Sequence, residues 1–471
     1  MKKVTIILSF IFVISITAFA QNESDFIFDG NGTITGYTGT ATSIVIPSRI
    51  NGVTVTAIGN RAFNSKNIES VTIPNGITSI GEYVFTLNKL TSVNLPSSLT
   101  FIGRGAFESN QLTNINIPNG ITSIELNTFK NNRLTLINIP TGVTVIGSGS
   151  FSQNQLTSID IPDTVTEIRS DAFSQNRLTN ITIPVGVTRI DNYAFTRNQL
   201  TAVTIPSSVI TIGRHAFSYN QLIVVTINGN TSIGEEAFLQ NKLSSLILSD
   251  DISSIGKDAF AYNQLLSIII PSSITIINEG VFRNNQLASL IIPNGVTVID
   301  KNAFNNNKLS SLDLPDSITF IKAYAFSNNR LNFISIPVNV VVIENNAFSD
   351  NHLINITILA RINTIEMEVF ARNQINAVTI PDSVTSIKES AFAYNQLTTI
   401  IIPDSVTYIG GDAFLNNPLN NITLGNNVTL GFFPFSAFGF FDHFYNTNGK
   451  KAATYVIRNG QWSITNLRVI T

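Results

Sequence analysis

Residues 90–111, LTSVNLPSSLTFIGRGAFESNQ, run straight into residues 112–133, LTNINIPNGITSIELNTFKNNR, which keep the apolar positions and exchange most of the polar ones. Followed outward, the phenylalanine of this pair recurs at Phe63, Phe85, Phe107, Phe129, Phe151, Phe173, Phe195 and Phe217. It returns at Phe238, Phe260, Phe282, Phe304, Phe326, Phe348, Phe370, Phe392 and Phe414. Every interval equals that from Phe63 to Phe85 except the step from Phe217 to Phe238, which is one shorter. An isoleucine stands five positions before each, from Ile58 to Ile409, and Leu or Ile stands five after, from Ile68 to Leu419. A fixed period of roughly 20 to 50 residues marks a solenoid, whose units bury their apolar faces only against one another. The expected fold is a mainly β repeat solenoid of about 17 units, each of about 22 residues.

Within a unit, Leu112, Ile115 and Ile117 are the apolar positions, and the I-N-I alternation reads as a short half-buried strand. Pro118 ends it, because proline has no N–H for a ladder, and Asn119-Gly120 supplies turn chemistry. A second alternating piece follows at 121–124. The segment carrying the phenylalanine then reads as extended or as one helical turn on the opposite side. Phe63, Phe85, Phe107, Phe129, Phe151 and Phe304 belong to one aromatic ladder in the core. Three positions after the phenylalanine, asparagine recurs, as at Asn88, Asn110, Asn154 and Asn220. An amide stacked at the same corner of each coil can satisfy backbone groups of adjacent turns that burial would leave unpaired.

These units, L-x-x-I-x-I-P-x-x-I-x-x-I-x-x-x-A-F-x-x-N-x, resemble leucine-rich repeats of the BspA type over about Ser43 to Leu424. The resemblance implies a curved right-handed solenoid on a bacterial surface or secreted protein. Some members of that family resemble adhesins for host matrix proteins or other cells. A class of function is implied, and no particular ligand.

The ends depart from the period. Residues 1–20 place Lys2 and Lys3 before an apolar run and close on Ala18-Phe19-Ala20, the pattern of a secretory signal peptide processed after Ala20. The run is short for a membrane anchor. Residues 21–52 read as an N-terminal cap with a degenerate first repeat, 53–425 as the array, and 426–471 as an aromatic-rich C-terminal cap. Eight aromatic residues between Phe432 and Tyr445, and the single Trp462, either cover the last coil or form a binding surface.

Net charge is −2, only 12% of residues are charged, and cysteine is absent from the 471 residues. This pattern gives no electrostatic footprint for nucleic acid, no disulfide or thiolate chemistry, and no spanning segment after signal removal. His215, His352 and His443 are far apart in sequence and read as surface or loop residues rather than metal ligands. Gly147-Ser148-Gly149-Ser150 fills a variable slot before Phe151 and lacks the context of a phosphate loop or nucleophile turn. The outward carboxylates Asp160 and Asp313 lie seven coils apart, roughly 30 Å at about 4.8 Å per coil, too far for a glycosidase pair. No catalytic, cofactor-binding or metal-ligating residue is assigned, and the chain reads as a non-enzyme.

The outward residue of each I-x-I strand changes along the array, from amides and an acid to threonines and then to Ile247, Ile269 and Ile291, beside which stands Leu266. The unit ending at Phe238 is the short one, and Asn228 and Ser249 replace the strand-ending proline in the two coils next to these isoleucines. A constant frame with a zoned surface suits recognition. The expectation is an exported protein, secreted, periplasmic or on the outer cell surface, that presents this concave sheet to an extracellular protein or cell-surface partner. A passive or self-associating spacer is the alternative, and a glycan-binding or glycan-processing protein a more distant one.

Overall fold

The computed structural model describes residues 21–426, 428–435, 441–458 and 461–467. The signal-peptide segment 1–20 lies outside the described residues. The chain winds into a parallel β solenoid in which equivalent residues of successive coils face one another, as Ser123 faces Val145 and Val145 faces Glu167. Each coil has three sides.

The first side carries the I-x-I pieces, and its ladder is broken. Its pieces include three strands at Ala202–Ile205, Val224–Ile227 and Ser245–Leu248, pairs such as Ser267–Ile269 with Ser289–Ile291 and Phe333–Ile336 with Asn355–Ile358, and single bridges such as Asn116 with Asn138. Proline is the cause. Where Asn228, Ser249 and Leu359 replace it, their N–H groups donate to Ile205, Ile227 and Ile336 of the preceding coil at 3.0–3.1 Å. Four-residue strands pair at those places. The more continuous ladder is the second side, where seven two-residue strands from Ser123–Ile124 to Ser254–Ile255 pair in succession. Threonine reinforces its corner: both the N–H and the hydroxyl of Thr100 donate to the Thr78 carbonyl, at 2.9 and 3.2 Å.

The third side corrects the expectation of an extended segment or a helical turn. It is a chain of tight turns in which the residues two before and two after each phenylalanine are left-handed, as Tyr83 (φ 55°) and Leu87 (φ 57°) are around Phe85. This geometry turns alternate N–H groups along the stack. Tyr83, Phe85 and Leu87 donate to the Arg104, Ala106 and Glu108 carbonyls of the next coil at 2.8–3.1 Å. A left-handed non-glycine residue costs about 1 kcal/mol, and these inter-coil bonds offset it.

The phenylalanines project from this side into a core where they are fully buried and stack face to face, with neighbouring centroids 5.2–5.9 Å apart. The stack runs past the last periodic position. Phe435 follows Phe414 at nearly the repeat spacing and stacks on it at 5.3 Å, an eighteenth rung inside the segment that departs from the period. At the other end Tyr37 and Phe26 pack on Phe63. Past Phe435 come the helix Phe441–Thr447 and an antiparallel hairpin, Ala453–Arg458 with Gln461–Leu467, whose first strand pairs with Asn421–Leu424. Phe441, Tyr445, Tyr455 and Trp462 are buried together there, Phe441 lying 4.8 Å from Trp462.

Candidate binding face

Alternation along a strand sends one residue inward and the next outward, so on the first side Ile268 is buried while Ile269 faces solvent. Ile247, Leu266, Ile269 and Ile291 are 56, 56, 65 and 54% exposed. Ile269 pairs in register with Ile291, and Ile247 with Thr226 of the coil before. Ile223 and Val224, also exposed, extend the patch toward the N-terminus. Between the aliphatic side chains lie exposed Ser245, Ser267 and Ser289, with no charged residue among them. A shallow hollow of about 560 Å³, lined by Thr182, Val185, Thr204 and Asn228 among others, adjoins the patch. Contiguous exposed apolar surface of this kind tends to mark contact sites.

The coil beside the patch is one residue short because its turn has been tightened. Gly229 has φ +79°, Thr231 N–H reaches back to the Gly229 carbonyl at 3.0 Å, and the Thr231 hydroxyl donates to the Val209 carbonyl at 2.8 Å. A Cβ at residue 229 would meet the Ser207 Cβ at 2.9 Å, so only glycine fits.

The ladder residues are elsewhere, inside. Asn110 donates to the Phe85 and Phe107 carbonyls at 2.8 and 3.1 Å and accepts from Leu90 N–H at 3.1 Å. Asn88, Asn154 and Asn220 make the same set of bonds, each joining its own phenylalanine carbonyl to that of the coil before. None of these amides is available to a ligand. Phe63, Phe85, Phe107, Phe129, Phe151 and Phe304 are buried to 0% exposure.

One histidine departs from expectation. His352 and His443 are exposed, but His215 is buried, its ring 4.9 Å from that of Tyr193 and its Nε2 2.5 Å from Glu236 Oε2. Tyr193 and Glu236 hold the same position in the coils on either side, and stacking closes them over the imidazole. Among the described residues no group of three or more His, Asp or Glu is arranged to hold a metal ion.

A second apolar row was not visible to a reading that followed only the I-x-I column. On the second side Ile276, Val298, Phe320 and Val342 are the outward residues of one four-stranded sheet, paired in register. Ile276, Phe320 and Val342 are 46, 41 and 36% exposed. The signal in the sequence was the residue before each second-side isoleucine, mostly polar in the first half of the array.

The sequence matches the BspA type leucine rich repeat region (6 copies) in overlapping spans, 56–177, 123–244, 212–332, 253–375 and 319–439. Among curated protein sequences none matches. Solved structures overlay on it in part. A leucine-rich repeat protein from Bacteroides ovatus is 20% identical, covering 76% of this chain and 82% of that one with a TM-score of 0.45. YopM from Yersinia enterocolitica is 18% identical, covering 87% and 88% with a TM-score of 0.39. A leucine rich cell surface protein from Faecalibacterium prausnitzii is 20% identical, covering 90% and 95% with a TM-score of 0.32. In the matched spans the repeat is a scaffold suited to protein interaction.

Proposed function

Because the chain belongs to the BspA-type leucine-rich-repeat family, which its repeats match over most of their length, we propose that it is a non-enzymatic, exported recognition protein that docks an extracellular protein or cell-surface partner on its first side. One observation carries the reading: Ile247, Leu266, Ile269 and Ile291 are exposed in successive coils of the first side with no charged residue among them. The neighbouring coils offer an internal control, because Thr204 and Thr226 occupy the same outward column. Replacing Ile247, Ile269 and Ile291 together by threonine is therefore expected to spare the fold. In a binding screen against matrix proteins, glycans and whole cells, the variant should lose at least tenfold in affinity for whichever target the parent binds. A variant that melts like the parent and binds as well assigns the patch to strand packing and favours a passive spacer. Export rests on the N-terminal pattern, and sequencing of exported protein should find Gln21 first. Material that still carries residues 1–20 would overturn it.

A further inference from the structure

We propose that the His215–Glu236 contact is an acid-sensitive joint, where proton uptake by His215 opens the third side between the coils of Phe217 and Phe238 while the rest of the stack stays closed. This does not depend on the partner. The joint spans a coil one residue shorter than its neighbours, and three backbone bonds cross it on this side. They run from His215 to Glu235, Phe217 to Ala237 and Tyr219 to Leu239, at 2.8–3.0 Å.

Nε2 lies 2.5 Å from the Glu236 carboxylate, a contact that favours the ring hydrogen on that nitrogen. The other ring nitrogen, Nδ1, is buried without a hydrogen-bond partner. A neutral ring tolerates this, since Nδ1 then bears only a lone pair. The added proton goes to Nδ1 and creates a buried N–H with no acceptor, which the ring satisfies only by swinging toward water and leaving its place between Tyr193 and Glu236.

The groups facing the ring do not remove the penalty. Glu236 and Glu235 favour the cation. Arg214 opposes it and is itself 3.7 Å from Glu235. Tyr193 stacks on one face, and Tyr219, with Arg197 over its ring, lies 6.5 Å away. Burial, the largest influence, together with Arg214 holds the imidazole below its ordinary value of 6.5 against the pull of Glu236 and Glu235. The sign follows. Above that ordinary value both the closed and the open joint are neutral and opening is independent of pH. Below it the open joint binds a proton that the closed joint refuses, so the opening equilibrium rises by up to about tenfold per pH unit until the closed form also titrates.

Hydrogen exchange of the full chain at pH 7.5, 6.5 and 5.5, corrected for intrinsic rates, tests this. Peptides within 212–240 should lose protection by up to about tenfold per pH unit below about 6.5, while peptides within 300–330 should not. His215→Gln keeps a donor toward Glu236 but cannot titrate, and should abolish the difference. If that variant loses the coil at pH 7.5, Glu236→Gln replaces it: without the carboxylate the closed joint resists the proton further, and the decline should continue to lower pH. Equal behaviour of the two regions in the parent, or a pH dependence that survives His215→Gln, overturns the proposal.

Discussion

Asn154 shows how much one side chain does in this fold. Its amide donates to the carbonyls of Phe129 and Phe151 at 2.9 and 3.1 Å, and its oxygen accepts from Leu134 N–H at 3.0 Å. Removing the amide leaves the buried Leu134 N–H without its acceptor, at about 1–3 kcal/mol, and takes one of two donors from each carbonyl, since Asn132 still donates to Phe129 and Asn176 to Phe151. Asn154→Ala should therefore cost about 1–3 kcal/mol by denaturant titration. Asn154→Asp is the sharper test. A carboxylate still accepts from Leu134 but turns a charged oxygen toward two carbonyls, so at pH 7 it should be worse than alanine. It should recover as pH falls, because a protonated carboxyl regains one donor. An aspartate variant no worse than alanine at pH 7, or one that gains nothing in acid, would show that the amide's donors matter little.

At the scale of the element, coil spacing is set by backbone meeting backbone. A Cβ on residue 103 would lie 2.6 Å from the Gly81 carbonyl carbon and 2.8 Å from Glu82 N, and neither can move without parting the coils. Residue 142 also carries glycine, yet a Cβ there would meet only carbonyl oxygens at 3.7 and 3.8 Å. Gly103→Ala should destabilise by about 1–3 kcal/mol, whereas Gly142→Ala should be neutral or stabilise by up to about 1 kcal/mol through the unfolded chain. Equal melting of the two variants would refute close approach as the reason for Gly103. The same scale shows what was legible beforehand. The inward Ile, Leu and Phe positions follow from period alone, because burial repeats with the coil. The third side does not, since its left-handed positions hold Arg61, Tyr83, Leu87 and His215 as well as the glycine and asparagine that would betray them. Inter-coil hydrogen bonds override local preference there. His215 was misplaced for a related reason: a variable column reads as surface until the stack closes Tyr193 and Glu236 over it. Phe435 was hidden among neighbouring aromatics, and its 5.3 Å stacking on Phe414 marks it as a rung. The outward direction of Ile247, Ile269 and Ile291 was legible because strand alternation fixes it, while the second-side row lay in the second alternating piece, whose outward column was not followed along the array.

For the whole molecule, stacking means that each coil touches its neighbours and little else, so stability is close to a sum of local terms. Phe304 is the place to measure this. Its ring lies 5.7 Å from that of Phe282 and 5.4 Å from that of Phe326, and it is fully buried. Phe304→Ala leaves a cavity that the flanking backbone ladders resist closing, at a cost of about 3–5 kcal/mol. In a globular core that loss would be shared, and every slowly exchanging amide would speed up together. Here the coils on either side keep their own inter-coil bonds, such as Phe326 N–H to the Ala347 carbonyl at 2.9 Å. Hydrogen exchange should therefore rise within 282–326 and hardly change around Phe85 or Phe392. The same variant should broaden thermal unfolding, as the two halves of the stack lose their common middle and melt apart. A uniform loss of protection along the chain would show that the ladders couple distant coils more tightly than nearest-neighbour stacking allows.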